Sequence, residues 1–147
     1  ARQRYPSWPD LAFVQVGDHM DLALDQVRRL GFTEIVIATM IGKASKLAQG
    51  RLQTHVSEGP VDLAFLASVA GEVGATPDLQ TAIGMANTAH HAQSLVRRAG
   101  IQGLERRVAQ LAADRAAAIL SPSVRVEVLI HSLDGDLLGV GQRGGAQ

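Results

Sequence analysis

The chain has 147 residues, no cysteine, and 14 basic side chains balanced by 14 acidic ones. That length predicts one domain with a real core, and the missing cysteines exclude disulfides, thiolate catalysis and cysteine-ligated metals. The neutral balance argues against nucleic acid, whose phosphates demand a broad basic face, and no run approaches the roughly 18–20 apolar residues of a membrane span.

Residues 1–10, with Arg2, Arg4 and Pro6-Ser7-Trp8-Pro9, read as a linker or N-terminal extension cut from a longer polypeptide. Hydrophobic residues make up 46% of the chain but aromatics only 3%, so the core has to be built from Leu, Val, Ile and Ala. Leu11-Ala12-Phe13-Val14-Gln15-Val16 is a short apolar run of the kind buried in a parallel sheet. Gly17 ends it and Asp18 is placed to cap a helix in which Met20, Leu24, Val27 and Leu30 recur at helical spacing, with Gly31 as its stop. Glu34 to Ile41 reads as a second strand, completing a β-α-β unit with a right-handed crossover.

A Gly-containing turn and a short helix follow, over Thr39 to Gly50, carrying Lys43 and Lys46. Three residues apart on a helix, the two lysines can project to one side. From Ile35 to Ser57 the formal charges are Lys43, Lys46 and Arg51 with no acid, and a helix start attracts anions. The bland reading is a solvated helix face; the functional one is a grip on carboxylates or phosphates. Neither a P-loop nor a Gly-x-Gly-x-x-Gly fingerprint is present, so a nucleotide cradle is unsupported. His55, after Thr54, sits in a polar loop where it can orient a ligand, or do nothing.

Pro60 fits the first position of a helix to about Val73, with Asp62 in its first turn. Thr76-Pro77-Asp78 opens a long helix to about Ala99, weakened locally by Gly84. In that helix His90 reads as partly buried and His91 as surface. A further helix spans Leu104 to Ile119, Val124 to Ile130 alternates as a strand, and Asp134-Gly135 is a turn from which Leu137 to Val140 can return. The predicted fold class is α/β: three layers, a mostly parallel sheet with helices on both faces, and room for a C-terminal hairpin strand. The domain runs over 11–141, and 142–147 is a frayed tail. Ligands in such sheets bind beyond the C-terminal strand ends, which brings Gly17-Asp18 and Gly42-Lys43 to one crevice. No metal site is expected, since the adjacent His90 and His91 point about 100° apart on their helix.

Gly42-Lys43-x-x-Lys46-Leu47-Ala48-Gln49-Gly50, then Thr54-His55, then Val61-Asp62 leading into Leu63-Ala64-Phe65-Leu66-Ala67 resemble the cobalt-precorrin-5B C1-methyltransferase family of cobalamin biosynthesis. Gly17, Leu30-Gly31-Phe32 and Ala86-Asn87-Thr88-Ala89 support the resemblance, which covers roughly residues 11 to 100. It implies an enzyme that moves a methyl group from S-adenosylmethionine to an anionic cobalt-tetrapyrrole. It also implies a missing N-terminal domain without which this C-terminal domain is inactive. Such chemistry needs alignment and shielding more than a nucleophilic side chain. The resemblance turns Gly17, Gly42, Lys43, Lys46, Arg51, Thr54 and His55 into pocket residues for substrate or methyl donor and names no catalytic residue. The alternative from another class is a non-catalytic α/β module that binds an anionic ligand or mediates assembly. Neither reading requires nucleic acid or a membrane, and the expected location is the cytoplasm.

Overall fold

The computed structural model describes residues 1–53 and 59–145. In chain order they form α1 (Met20–Leu30), β1 (Glu34–Thr39), α2 (Ile41–Ala48), α3 (Leu63–Glu72), α4 (Pro77–Gly84), α5 (Ala89–Arg98), α6 (Leu104–Ile119), β2 (Arg125–His131) and β3 (Leu137–Arg143). The sheet order is β1-β2-β3: Glu34 to Thr39 pair in parallel with Arg125 to Ile130, and β3 pairs antiparallel to β2. The α/β class stands and the hairpin strand is present. The mostly parallel sheet is corrected to a small mixed one, because one of its two ladders is antiparallel.

The reason lies at the N-terminus. Residues 11–16 form no strand: Asp10–Ala12 is a 3₁₀ turn, and Leu11 and Val14 stay 93% and 74% exposed. Local ring contacts win over sheet pairing here. Trp8 stacks on Tyr5 at 4.5 Å, Phe13 tilts onto Trp8 at 6.2 Å, and the Arg2 guanidinium sits 4.5 Å over the Phe13 ring. Without that strand there is no first β-α-β unit, and the parallel crossover runs instead from β1 through α2 to α6 into β2.

Side chains opposite each other share a face. Ile35 and Ile37 therefore line up with Val126 and Val128, and Gly139 and Gly141 stand opposite Ile130 and Val128. On this face α6 seats directly on the backbone of β3. A Cβ at Gly141 would lie 2.2 Å from the Ala109 carbonyl carbon, and one at Gly139 2.5 Å from that of Glu105. The buried Val108, Ala109, Ala112, Ala113 and Ala116 let helix and sheet approach this closely. The opposite face carries Glu127, 2% exposed, whose carboxylate accepts from the Arg4 guanidinium at 2.7 Å and from the Tyr5 hydroxyl. Burial first, and then the bond to Glu127, push the Tyr5 phenol above its ordinary pKa.

Two helix boundaries differ from the expected ones. Asp62 is the N-cap of α3, accepting from the Phe65 N–H at 2.9 Å, so Pro60 precedes the helix. The long helix expected over 77–99 is two: α4 ends at Gly84, and Thr88 caps α5 by accepting from the His91 N–H at 3.0 Å. A Thr hydroxyl satisfies an end N–H better than it fits a helix interior. His90, expected to be partly buried, is exposed.

Candidate functional site

β1 ends at Thr39 and the chain turns at once into α2, whose first N–H groups lie at the C-terminal edge of the parallel strands. Met40, the N-cap, offers them no side-chain acceptor. From the first turn of α2, Lys43 reaches back to the turn before α1. Its Nζ donates to the Gly17 carbonyl at 3.1 Å and pairs with the Asp18 carboxylate at 3.0 Å. Gly17 supplies that carbonyl from a left-handed conformation (φ 59°). Lys43 therefore meets Gly17-Asp18, although a turn rather than the expected strand brings those two residues to it. The N-cap of α1 is His19, one residue after the expected Asp18.

The other expected members distribute differently. Lys43 is 43% exposed but Lys46 only 4%, so the two do not share a solvated face. Ala44, Ser45 and Leu47 are buried with Lys46. This eight-residue helix is covered on most of its surface and leaves Lys43 open. Gly42 also turns inward: a Cβ there would touch Val61 and Ala89 at 3.5 Å, an ordinary packing distance. Arg51 donates to the Pro60 carbonyl at 2.9 Å and so braces the chain beyond residues 54–58. Thr54 and His55 lie outside the described residues.

Several polar groups around the two ends of α2 were not anticipated as site residues. Asp21 Oδ2 accepts from Gln53 Nε2 at 3.1 Å, beside a bridge between His19 and Gln53. The Gln53 bond, with the Leu22 N–H second, holds the Asp21 carboxyl below its ordinary pKa. Its Oδ1 is shut off from solvent with no hydrogen-bond partner among the described residues. On the α3 side, Gln49 Nε2 donates to Asp62 Oδ2 at 2.8 Å while Gln49 Oε1 is likewise buried and, among the described residues, unpartnered. The Phe65 N–H and then Gln49 lower the Asp62 pKa. Buried acceptors left unmatched are costly, so each calls for a donor. The one sequence signal for the first group is the three-residue spacing of Asp18 and Asp21 at a helix start. Lys43 suits an anionic group, and the unmatched acceptors of Asp21 and Gln49, at opposite ends of α2, each suit an N–H or O–H donor.

Two clefts lie elsewhere. One of about 460 Å³ lies between the end of α5, the start of α6 and Leu138; a second of about 250 Å³ adjoins it over Val73, Gly103 and Val140. Among the described residues no helix is long and apolar enough to cross a membrane, and no three His, Cys, Asp or Glu side chains gather as a metal-ligand set.

Comparison with known proteins adds the following. The family model described as "CbiD, C-terminal domain" matches residues 53–142. A cobalt-precorrin-5B C(1)-methyltransferase of Geobacillus sp. (strain WCH70) is 33% identical over 146 residues, covering 99% of this chain and 40% of the relative. Proteins of the same name from Pseudomonas fluorescens and Salinispora arenicola are 34% identical over 95% and 41% identical over 70% of this chain, covering 37% and 27% of those relatives. The chain thus spans about two fifths or less of the length of these curated relatives. No solved structure matches it.

Proposed function

Because this chain belongs to the CbiD family, whose C-terminal domain it carries, we propose that it is part of an S-adenosylmethionine-dependent enzyme that methylates C1 of cobalt-precorrin-5B in cobalamin biosynthesis. The observation that carries this reading is the similarity to proteins of that name along 99% of the chain. The crevice of Gly17, Asp18 and Lys43 supplies the local chemistry that supports it.

When bound, S-adenosylmethionine supplies a methyl group activated by its sulfonium sulfur. The donor set of this crevice fits the amino-acid end of that molecule. Lys43, half-exposed and already charge-paired to Asp18, can accept a ligand carboxylate as a further partner. The unpartnered Oδ1 of Asp21 matches an ammonium or hydroxyl group, and Gln49 Oε1 matches another donor. Arg51 donates to the Pro60 carbonyl, and it is kept with Thr54 and His55 as a pocket residue in this proposal. Lys46, being buried, supports α2 from inside. What these residues do is bind, orient and shield; the displacement itself needs alignment more than a side-chain nucleophile.

Calorimetric titration with S-adenosylhomocysteine, the demethylated product, tests the assignment. We expect saturable one-to-one binding that weakens about tenfold in Lys43→Ala, one charge-assisted contact's worth. Binding that is indifferent to both Lys43→Ala and Asp21→Asn would remove the crevice from the donor site.

A further inference from the structure

The 460 Å³ cleft sits on the same edge of the sheet as the crevice, and the ladder register shows it. Thr39 at the end of β1 pairs with Ile130, Ile130 pairs with Gly139, and Gly139 packs on Glu105 in the first turn of α6. The starts of α2 and α6 therefore both lie at this edge, where Thr39 and Gly139 are two strand spacings, about 10 Å, apart within the sheet. This is the edge at which open α/β sheets bind ligands.

The lining of the cleft has a definite character. Val96, Ile101 and Leu138 are its apolar lining, and Arg97 and Arg106 line it with positive charge. Both guanidiniums are exposed, and neither has a hydrogen-bond or ion-pair partner among the described residues. The one acid on the lining, Glu105, is engaged by Gln93 Nε2 at 2.7 Å. Between cleft and crevice the edge exposes Met40, Leu133 and Leu137. An apolar strip flanked by unpaired guanidiniums matches a flat apolar ring with carboxylates on its rim. The guanidinium fork is the side chain suited to gripping carboxylates in pairs. A cleft of this size accommodates one edge of such a ring, not the whole disc.

Resting on the methyltransferase reading above, the geometry points to a division of labour along this edge: the Arg97/Arg106 cleft binds rim carboxylates of the tetrapyrrole acceptor, and the Gly17/Lys43 crevice is left to the methyl donor. The ring then lies over Met40, Leu133 and Leu137, with its bound edge at α6 and its reacting edge toward α2.

The test is amide chemical-shift mapping of this chain titrated with uroporphyrin, an octacarboxylate tetrapyrrole, against a tetracationic porphyrin of the same ring size. We expect uroporphyrin to shift the amides of Arg97, Ile101, Arg106 and Leu138, and the cationic ring to leave them in place. Arg97→Ala with Arg106→Ala is expected to weaken uroporphyrin binding by at least about tenfold while S-adenosylhomocysteine binding is unchanged. Shifts centred on Gly17 and Lys43 and abolished by Lys43→Ala would overturn the assignment while sparing the methyltransferase reading. Equal binding of the two porphyrins, or binding of neither, would overturn it too. Loss of product binding with uroporphyrin still seated at Arg97 and Arg106 would sink the donor crevice and leave the acceptor cleft standing.

Discussion

Replacing Gly141 by alanine tests whether α6 rests on bare strand backbone. The new Cβ would lie 2.2 Å from the Ala109 carbonyl carbon and 2.3 Å from both its oxygen and the Gln110 nitrogen. Two non-bonded carbons rest at about 3.5–4.0 Å, so α6 has to retreat locally by about 1.5 Å. The obstacle is helix backbone with no rotamer to change, and retreat opens space around the fully buried Val108, Ala112 and Ala113. Overpacking costs about 1–3 kcal/mol, and backbone against backbone belongs at about 3. At about 2–4 °C per kcal/mol for a chain near this size, the melting temperature falls by about 6–12 °C. Gly84→Ala is the matched control. It ends α4 without a positive φ, and a Cβ there meets nothing within 4 Å. Alanine's better helix propensity stabilises by up to about 1 kcal/mol. Urea and thermal unfolding followed by circular dichroism read both. A Gly141→Ala melting point within about 2 °C of the parent, or two substitutions moving in the same direction, would refute the close seating.

Lys43→Ala is expected to change stability by less than about 1 kcal/mol, because the pair with Asp18 is partly solvated. Lys46→Ala loses a buried stem and costs about 1–3 kcal/mol in the same unfolding assay. Asp62→Ala removes the α3 cap at a cost of about 1 kcal/mol near neutral pH. Because folding lowers the Asp62 pKa from 3.8, that contribution is full above the unfolded pKa and is lost as pH falls through the folded one. The gap between parent and variant should therefore close below about pH 4, as denaturant midpoints across pH will show. Arg4→Ala is expected to lower the melting temperature more than Arg2→Ala: Arg4 supports a carboxylate 2% exposed, whereas both members of the Arg2–Asp10 pair face solvent.

Local chemistry was the legible part of this sequence. Thr76 caps α4 with Pro77 at its first position, and the turn at Asp134-Gly135 returns the chain as β3, because a cap or a tight turn depends on a few adjacent residues. Non-local choices were not legible. The apolar Leu11–Val16 run satisfies a strand pattern, but a strand needs a partner edge, and Trp8 competes for Phe13. At Gly84 the weak point was readable, whereas the separate helix depends on Thr88 turning from an interior position into a cap. At the site, helical spacing put Lys43 and Lys46 on one side without saying that packing would bury the second. Lys43 does meet Gly17, but the strand over 11–16 from which that meeting was expected is absent, and a turn supplies the Gly17 carbonyl instead. Asp21, Gln49, Arg97 and Arg106 form no motif, since their grouping depends on elements far apart in the chain.

The single parallel ladder also dictates when this fold can close. Glu34 and Arg125, which begin the pairing of β1 with β2, are separated by 91 residues. A translating ribosome adding roughly 5–20 residues per second needs about 5–18 s to cover that stretch. Throughout it β1 waits with Ile35 and Ile37 unpaired, while α3, α4 and α5 can already make their short-range contacts. β2 and β3, joined by a tight turn, have little loop entropy to overcome and pair as a unit. The slow step is then the docking of that hairpin, with α6 on its back, onto a strand made long before. High contact order of this kind sets the folding rate, and the waiting strand is where chaperone binding or aggregation would concentrate.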